Sequence, residues 1–270
     1  LTRRQVDYWR DGMALFERAL AVSGENDTIR YNLCVEASRL GRLDVAFANC
    51  RAAVRATVPR PGERPSLATV LERQGWRPAR AAEQAGSLTA ALGVAAWQAG
   101  RVGDATEYFA ETVRLEPARA DARNNLGLAY STTGRAPEAL AELGEALRLD
   151  PAYADARYNR GNVLANLGRF DEAVADYRAA LTASPDLHEA GNNLGVVLER
   201  SGDVAGAERA YRATIERAPS YADPRTNLAT LLVAQGRQAE AQALRASTPG
   251  AAELPQADAG PGGAPTREQE

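Results

Sequence analysis

Residues Ala154 to Leu187 read ADARYNRGNVLANLGRFDEAVADYRAALTASPDL. Apolar and small residues recur at helical spacing over Tyr158, Gly161 and Leu164, and again over Ala173, Tyr177, Ala180 and Leu181, so the stretch predicts two helices. Between them stands Leu167-Gly168-Arg169, where glycine takes the left-handed conformation that ends a helix. Asp171 is the candidate N-cap of the second helix, with Glu172 favourable at its positive end. Ser184-Pro185 closes the stretch, because proline lacks an amide hydrogen and pushes the residue before it out of the helical region.

The same stretch recurs on both sides. Pro117, Pro151, Pro185 and Pro219 stand 34 residues apart, as do Gly93, Gly127, Gly161 and Gly195, then Gly100, Gly134, Gly168 and Gly202, then Ala105, Ala139, Ala173 and Ala207. Four series at one step mark a repeat protein. Each unit is a helix pair whose small residues allow close approach, and neither helix is long enough to be stable in isolation. Stacking supplies the stability.

This pattern of Leu-Gly, a bulky residue, a turn glycine, then alanine, an aromatic, alanine and proline resembles the tetratricopeptide repeat family. The resemblance implies an all-α fold, a helical solenoid in which helix-turn-helix units form a right-handed superhelix. Good copies run 86–119, 120–153, 154–187 and 188–221, together the four repeats of 86–221. A fair copy covers 27–60, with Leu33, Gly41, Ala46 and Ala53 in place. Residues 1–26 form an N-terminal capping or junction helix from Asp11 to Val22, and 222–246 a degenerate last repeat and cap. In 61–85, Leu67, Leu71 and Gly75 fit a first helix, but Pro78 interrupts the second, which predicts a truncated repeat. The run PRPGERP at 59–65 reads as a flexible or kinked joint. Residues 247–270, rich in Pro, Gly and Ala, predict a disordered tail.

Composition excludes several functions. All 32 basic residues are arginine, against 35 acids in 270 residues, for a net charge of -3 and a pI near 5.5. No lysine is available for a Schiff base, and no basic stripe for a nucleic-acid backbone, so nucleic acid is not an expected partner. Cys34 and Cys50 read as two packed thiols, too few for a secreted disulfide scaffold of this length. No apolar run reaches a membrane-spanning length, so this segment predicts no membrane insertion. The only histidine, His188, has no partner at metal or triad spacing, and the glycines follow the repeat rather than a phosphate loop. The sequence therefore predicts no catalytic residue, no cofactor and no metal, and the chain alone is not expected to be an enzyme.

Binding of a protein or peptide is the expected role of a solenoid. Counted from the start of each repeat, Asn32, Asn125, Asn159, Asn193 and Asn227 occupy the sixth place, while Asp121, Asp155, Glu189 and Asp223 occupy the second. The two places are one helical turn apart on a single face, expected to line the concave groove. An asparagine amide both donates and accepts, so a row of them can hold an extended peptide backbone of any sequence. Neighbouring carboxylates can accept from hydroxyl or cationic side chains. Ala91 interrupts the row in the repeat from Gly86, and Asn124 recurs only at Asn192 with no assigned role. The row resembles that of O-GlcNAc transferase repeats, which implies substrate-peptide contacts by these asparagines. The lysine-dependent carboxylate clamp known in other members of the repeat family is not matched here.

At the amino end, Gln5, Tyr8-Trp9, Leu15-Phe16 and Ala19-Leu20, followed by Asn26, resemble the junction between membrane spans and repeats in O-mannosyltransferase-like glycosyltransferases. That resemblance implies a recognition arm of a membrane glycosyltransferase with its membrane domain upstream. The chain begins at Leu1 rather than Met, in keeping with a piece of a longer product. A generic assembly scaffold with no groove ligand is the alternative, and the sequence is compatible with a cytoplasmic or an extracytoplasmic segment.

Overall fold

The computed structural model describes residues 12–23, 26–56 and 66–247, and among these every regular element is a helix. The expectations for the tail, for the PRPGERP joint and for Tyr8 and Trp9 lie outside the described residues. Two compact units divide at Ser184 and Pro185.

The first unit contains α1 (Gly12–Ser23), α2 (Asp27–Arg39), α3 (Leu43–Ala56), α4 (Leu67–Arg73), α5 (Pro78–Gln98), α6 (Val102–Leu115), α7 (Ala120–Thr132), α8 (Ala136–Leu149), α9 (Ala154–Asn166) and α10 (Phe170–Ala183). The second contains α11 (His188–Ser201), α12 (Val204–Arg217), α13 (Asp223–Ala234) and α14 (Gln238–Ala246). Consecutive helices pack as hairpins: α2 with α3, α5 with α6, α7 with α8 and α9 with α10 in the first unit, α11 with α12 and α13 with α14 in the second. In α1, Met13 is buried, and Phe16 and Leu20 pack on the same core.

Each hairpin turn contains a glycine at positive φ, among them Gly168 at 73° and Gly202 at 90°. Within a hairpin, the small place of the first helix faces the bulky place of the second: a Cβ on Gly161 would stand 2.8 Å from the Tyr177 ring. Gly93 meets Phe109, Gly127 meets Leu143 and Gly195 meets Tyr211 in the same way. In the first hairpin the two corresponding places are Cys34 and Cys50. They are joined as a disulfide across α2 and α3 with Cα atoms 5.1 Å apart, rather than standing as separate thiols.

Two local expectations change. Asp171 is not an N-cap; Arg169 caps α10 without a side-chain bond, and its guanidinium instead pairs with Glu172 at 2.6 Å. The same device opens α8 and α14, through Arg135 with Glu138 and Arg237 with Glu240. It places a carboxylate in the positive first turn. Pro78 does not interrupt a helix but starts one, since its missing amide hydrogen is no loss at the first position. The 21-residue α5 then runs without a break across the expected repeat boundary at residue 86.

Arginine also has a recurrent structural use. Arg123 donates to the Pro117 carbonyl at 2.8 Å and Arg157 to that of Pro151 at 3.3 Å, while in the second unit Arg225 donates to that of Pro219 at 2.9 Å. Each guanidinium ties a first helix to the proline turn six residues before it.

Candidate functional site

The sixth-place asparagines Asn32, Asn125 and Asn159 lie on α2, α7 and α9 in the first unit, and Asn193 and Asn227 on α11 and α13 in the second. All five are half-buried. Asp121, Asp155, Glu189 and Asp223 are exposed one turn earlier on α7, α9, α11 and α13. The second and sixth places thus share a face of the first helices, as their spacing predicts.

The amides are not equivalent. Asn159 Nδ2 donates to Asn124 Oδ1 at 2.9 Å, linking α9 to α7. In the second unit, Asn227 Nδ2 donates to Asn192 Oδ1 at 2.9 Å, linking α13 to α11. Asn124 and Asn192 are buried, so a partner for each amide oxygen is required. Asn192 also donates to Asn193 Oδ1 at 3.5 Å. These two fifth-place asparagines are what the sequence left unassigned. The signal was their recurrence at twice the repeat step, matched by a sixth-place asparagine one residue beyond one step.

Other members of the row are unengaged. Asn125 and Asn32 have no side-chain hydrogen bond among the described residues, and Asp155, Glu189 and Asp223 have neither hydrogen bond nor ion pair there. Asp121 is held by Arg119, whose Nε lies 2.9 Å and 3.2 Å from its two oxygens. Asn125 borders an apolar cleft of about 160 Å³ formed with Val94, Trp97, Phe109 and Leu128. Ala91, at the sixth place of the repeat from Gly86, is exposed on α5.

Tyr153 stands just before α9, beside the Asn124 and Asn159 pair. Burial raises its pKa, and the charges of Asp155, Asp121 and Asp150 raise it further, against a hydrogen bond with Asn124. The phenol therefore remains protonated at neutral pH as a donor next to the row. Tyr221 holds the corresponding place before α13. The sequence reading missed both tyrosines. Chemically the face offers amide donors and acceptors, a phenolic donor and unpaired carboxylates, a set suited to recognition.

His188 opens α11, where its backbone N–H bonds to the Asp186 carbonyl at 2.9 Å. Among the described residues no group of three or more histidines, cysteines or carboxylates could hold a metal ion. No helix there is long and apolar enough to cross a membrane.

The sequence profile described as "Tetratricopeptide repeat" matches residues 90–144, 131–188 and 192–258, more than half of the chain. The chain belongs to the tetratricopeptide repeat family. No protein of curated function matches it in sequence. Among solved structures it is similar to YrrB, with 20% identity, 77% of this chain and 95% of that one covered, and a TM-score of 0.57. It is also similar to MamA from Desulfovibrio magneticus RS-1, with 19% identity, coverage of 60% and 92%, and a TM-score of 0.55. A further crystal structure of MamA gives 20% identity, coverage of 58% and 91%, and a TM-score of 0.54. These likenesses establish the all-α repeat fold. In tetratricopeptide repeat terms, the second-place carboxylates and sixth-place asparagines all belong to first helices.

Proposed function

We propose that this tetratricopeptide repeat protein is a non-catalytic scaffold that holds an extended peptide, or an extended segment of a partner protein, along the groove face of its first helices. The observation that carries this reading is the division of labour within one row. Asn159 and Asn227 are engaged in linking neighbouring helices. In the first unit Asn125, Asn32 and Asp155 have no hydrogen-bonding partner among the described residues, and in the second the same holds of Glu189 and Asp223. Polar groups that the fold does not use are those a peptide backbone can use. The likeness to YrrB, "a TPR protein with an unusual peptide-binding site", supports a peptide as the class of ligand.

The test uses the full chain and a displayed library of unstructured 15-residue peptides (about that length spans several repeats at roughly 3.3 Å per residue). Peptides enriched on the wild type should bind the Asn125→Ala and Asp155→Ala variant about ten-fold more weakly, with circular dichroism unchanged. Binding unaffected in the folded variant would remove the groove reading and leave a generic assembly scaffold.

The amino-terminal resemblance extends the proposal to a recognition arm of a membrane glycosyltransferase. Reading the frame upstream of Leu1 tests that extension: encoded hydrophobic spans would support it, and a frame encoding none would end it.

A further inference from the structure

The shortened stretch 61–85 has a structural consequence on a different face. Its α4 has only 7 residues, and α5 is one continuous helix of 21, so among the described residues no separate full-length second helix stands between α3 and α6. A cavity of about 420 Å³ opens there, walled by Cys50 and Val54 of α3, Leu67 of α4, Thr89 of α5, and Glu107 and Tyr108 of α6. That volume is in the range of ligand pockets.

One side is closed by the protein itself. Phe47 of α3 stacks on Tyr108 with ring centroids 5.4 Å apart, Arg51 pairs with Asp104, and Arg101 pairs with Asp44 at 2.6 Å. Deeper in, Thr89 and Thr112 bond to each other at 2.9 Å. Tyr108 is different: it is only 8% exposed, and its hydroxyl has no hydrogen-bond partner among the described residues. Burial pushes its pKa up to about 12, so at neutral pH it is a donor. The oxygen has almost no accessible surface, so it is the ring of Tyr108 that lines the cavity and adds to its apolar wall. At the mouth, the Glu107 side chain is 72% exposed and meets Arg51 only at 3.5 Å, while that guanidinium is engaged by Asp104.

We propose that this cavity is a second recognition site, which takes one bulky apolar side chain from a peptide of a partner protein. An arginine or lysine next to the inserted residue in the peptide pairs with Glu107. The apolar walls of Val54, Leu67 and the Tyr108 ring favour an apolar side chain in the cavity, and the exposed Glu107 carboxylate at the mouth, which Arg51 meets only at 3.5 Å, selects a basic neighbour. The site shares no residue with the asparagine row, so the two stand or fall separately.

The experiment measures the full chain against an array of short peptides in which one position is varied through all residues and the next through Arg, Ala and Glu. Peptides with Leu, Ile, Met or Phe followed by Arg should bind best. Val54→Trp, which fills the cavity, should abolish binding. Glu107→Arg alters only an exposed side chain, and should move the preference from arginine to glutamate at the second position. Asn125→Ala should change none of these results. An unchanged preference in Glu107→Arg, or equal binding to a folded Val54→Trp protein, would overturn the proposal. So would an array without apolar-basic hits when a small hydrophobic dye does bind, because the cavity would then be a small-molecule pocket.

Discussion

If Asn159 links α9 to α7, whereas Asn125 is free for a ligand, the two substitutions to alanine must differ in stability even though both sit at the sixth place of a first helix. Asn159→Ala leaves the Asn124 amide oxygen, on a residue only 5% exposed, without its 2.9 Å donor. The loss should be about 1–3 kcal/mol, the cost of a buried acceptor left unpaired. Alanine is the better helix former by a few tenths of a kcal/mol, which offsets part of it. Asn125→Ala breaks no hydrogen bond and gains the same propensity, so its effect should be near zero or slightly stabilising. Asn124→Ala should cost less than Asn159→Ala through this bond, because the half-exposed Asn159 amide can be rehydrated. A double-mutant cycle over Asn124 and Asn159 should return a coupling of about 1 kcal/mol. The second unit supplies a replicate in Asn192 and Asn227, whose geometry is the same. The assay is urea unfolding followed by circular dichroism, fitted with nearest-neighbour interface terms because a repeat array need not unfold in two states. A coupling below about 0.3 kcal/mol, or an Asn125→Ala penalty equal to that of Asn159→Ala, would refute the division of the row.

Glycine substitutions should sort by what the added methyl meets. Gly161→Ala places a Cβ 2.8 Å from the Tyr177 ring and should destabilise by about 1–3 kcal/mol in thermal or urea unfolding. Gly144→Ala, in α8 with nothing within 4 Å of the new methyl, should stabilise by about 0.5–1 kcal/mol. The Cys34–Cys50 bond closes a loop with a sequence separation of 16, for which chain entropy gives about 3 kcal/mol. Reduction with a thiol should therefore lower the unfolding midpoint of the first hairpin. Mass spectrometry finding both cysteines free in the untreated protein would count against the bond.

The repeat step was legible because it is written in residues whose jobs are local. Gly168 ends a helix whatever surrounds it, and Ala173 and Gly161 mark close contacts inside one hairpin. The disulfide was legible in principle by the same alignment. Cys34 and Cys50 fall on the two places that Gly161 and Tyr177 occupy later, and those places touch in the other hairpins described. Pro78 was misread because proline breaks a helix interior but opens a helix at its first position, and the choice depends on which residues precede it. What no single repeat could reveal is a bond between repeats. Asn124 finds its partner 35 residues on, so its logic lies in the offset between a fifth place and the next sixth place. The cavity beside Tyr108 is illegible for a related reason: it is lined by residues of α3 and α6, which are more than 50 positions apart in the sequence. Recurrence alone therefore mixes two kinds of asparagine, one kind consumed by stacking and the other left over by it. Only the second kind can bind without weakening the fold, which makes Asn125, rather than Asn159, the residue on which the binding proposal rests.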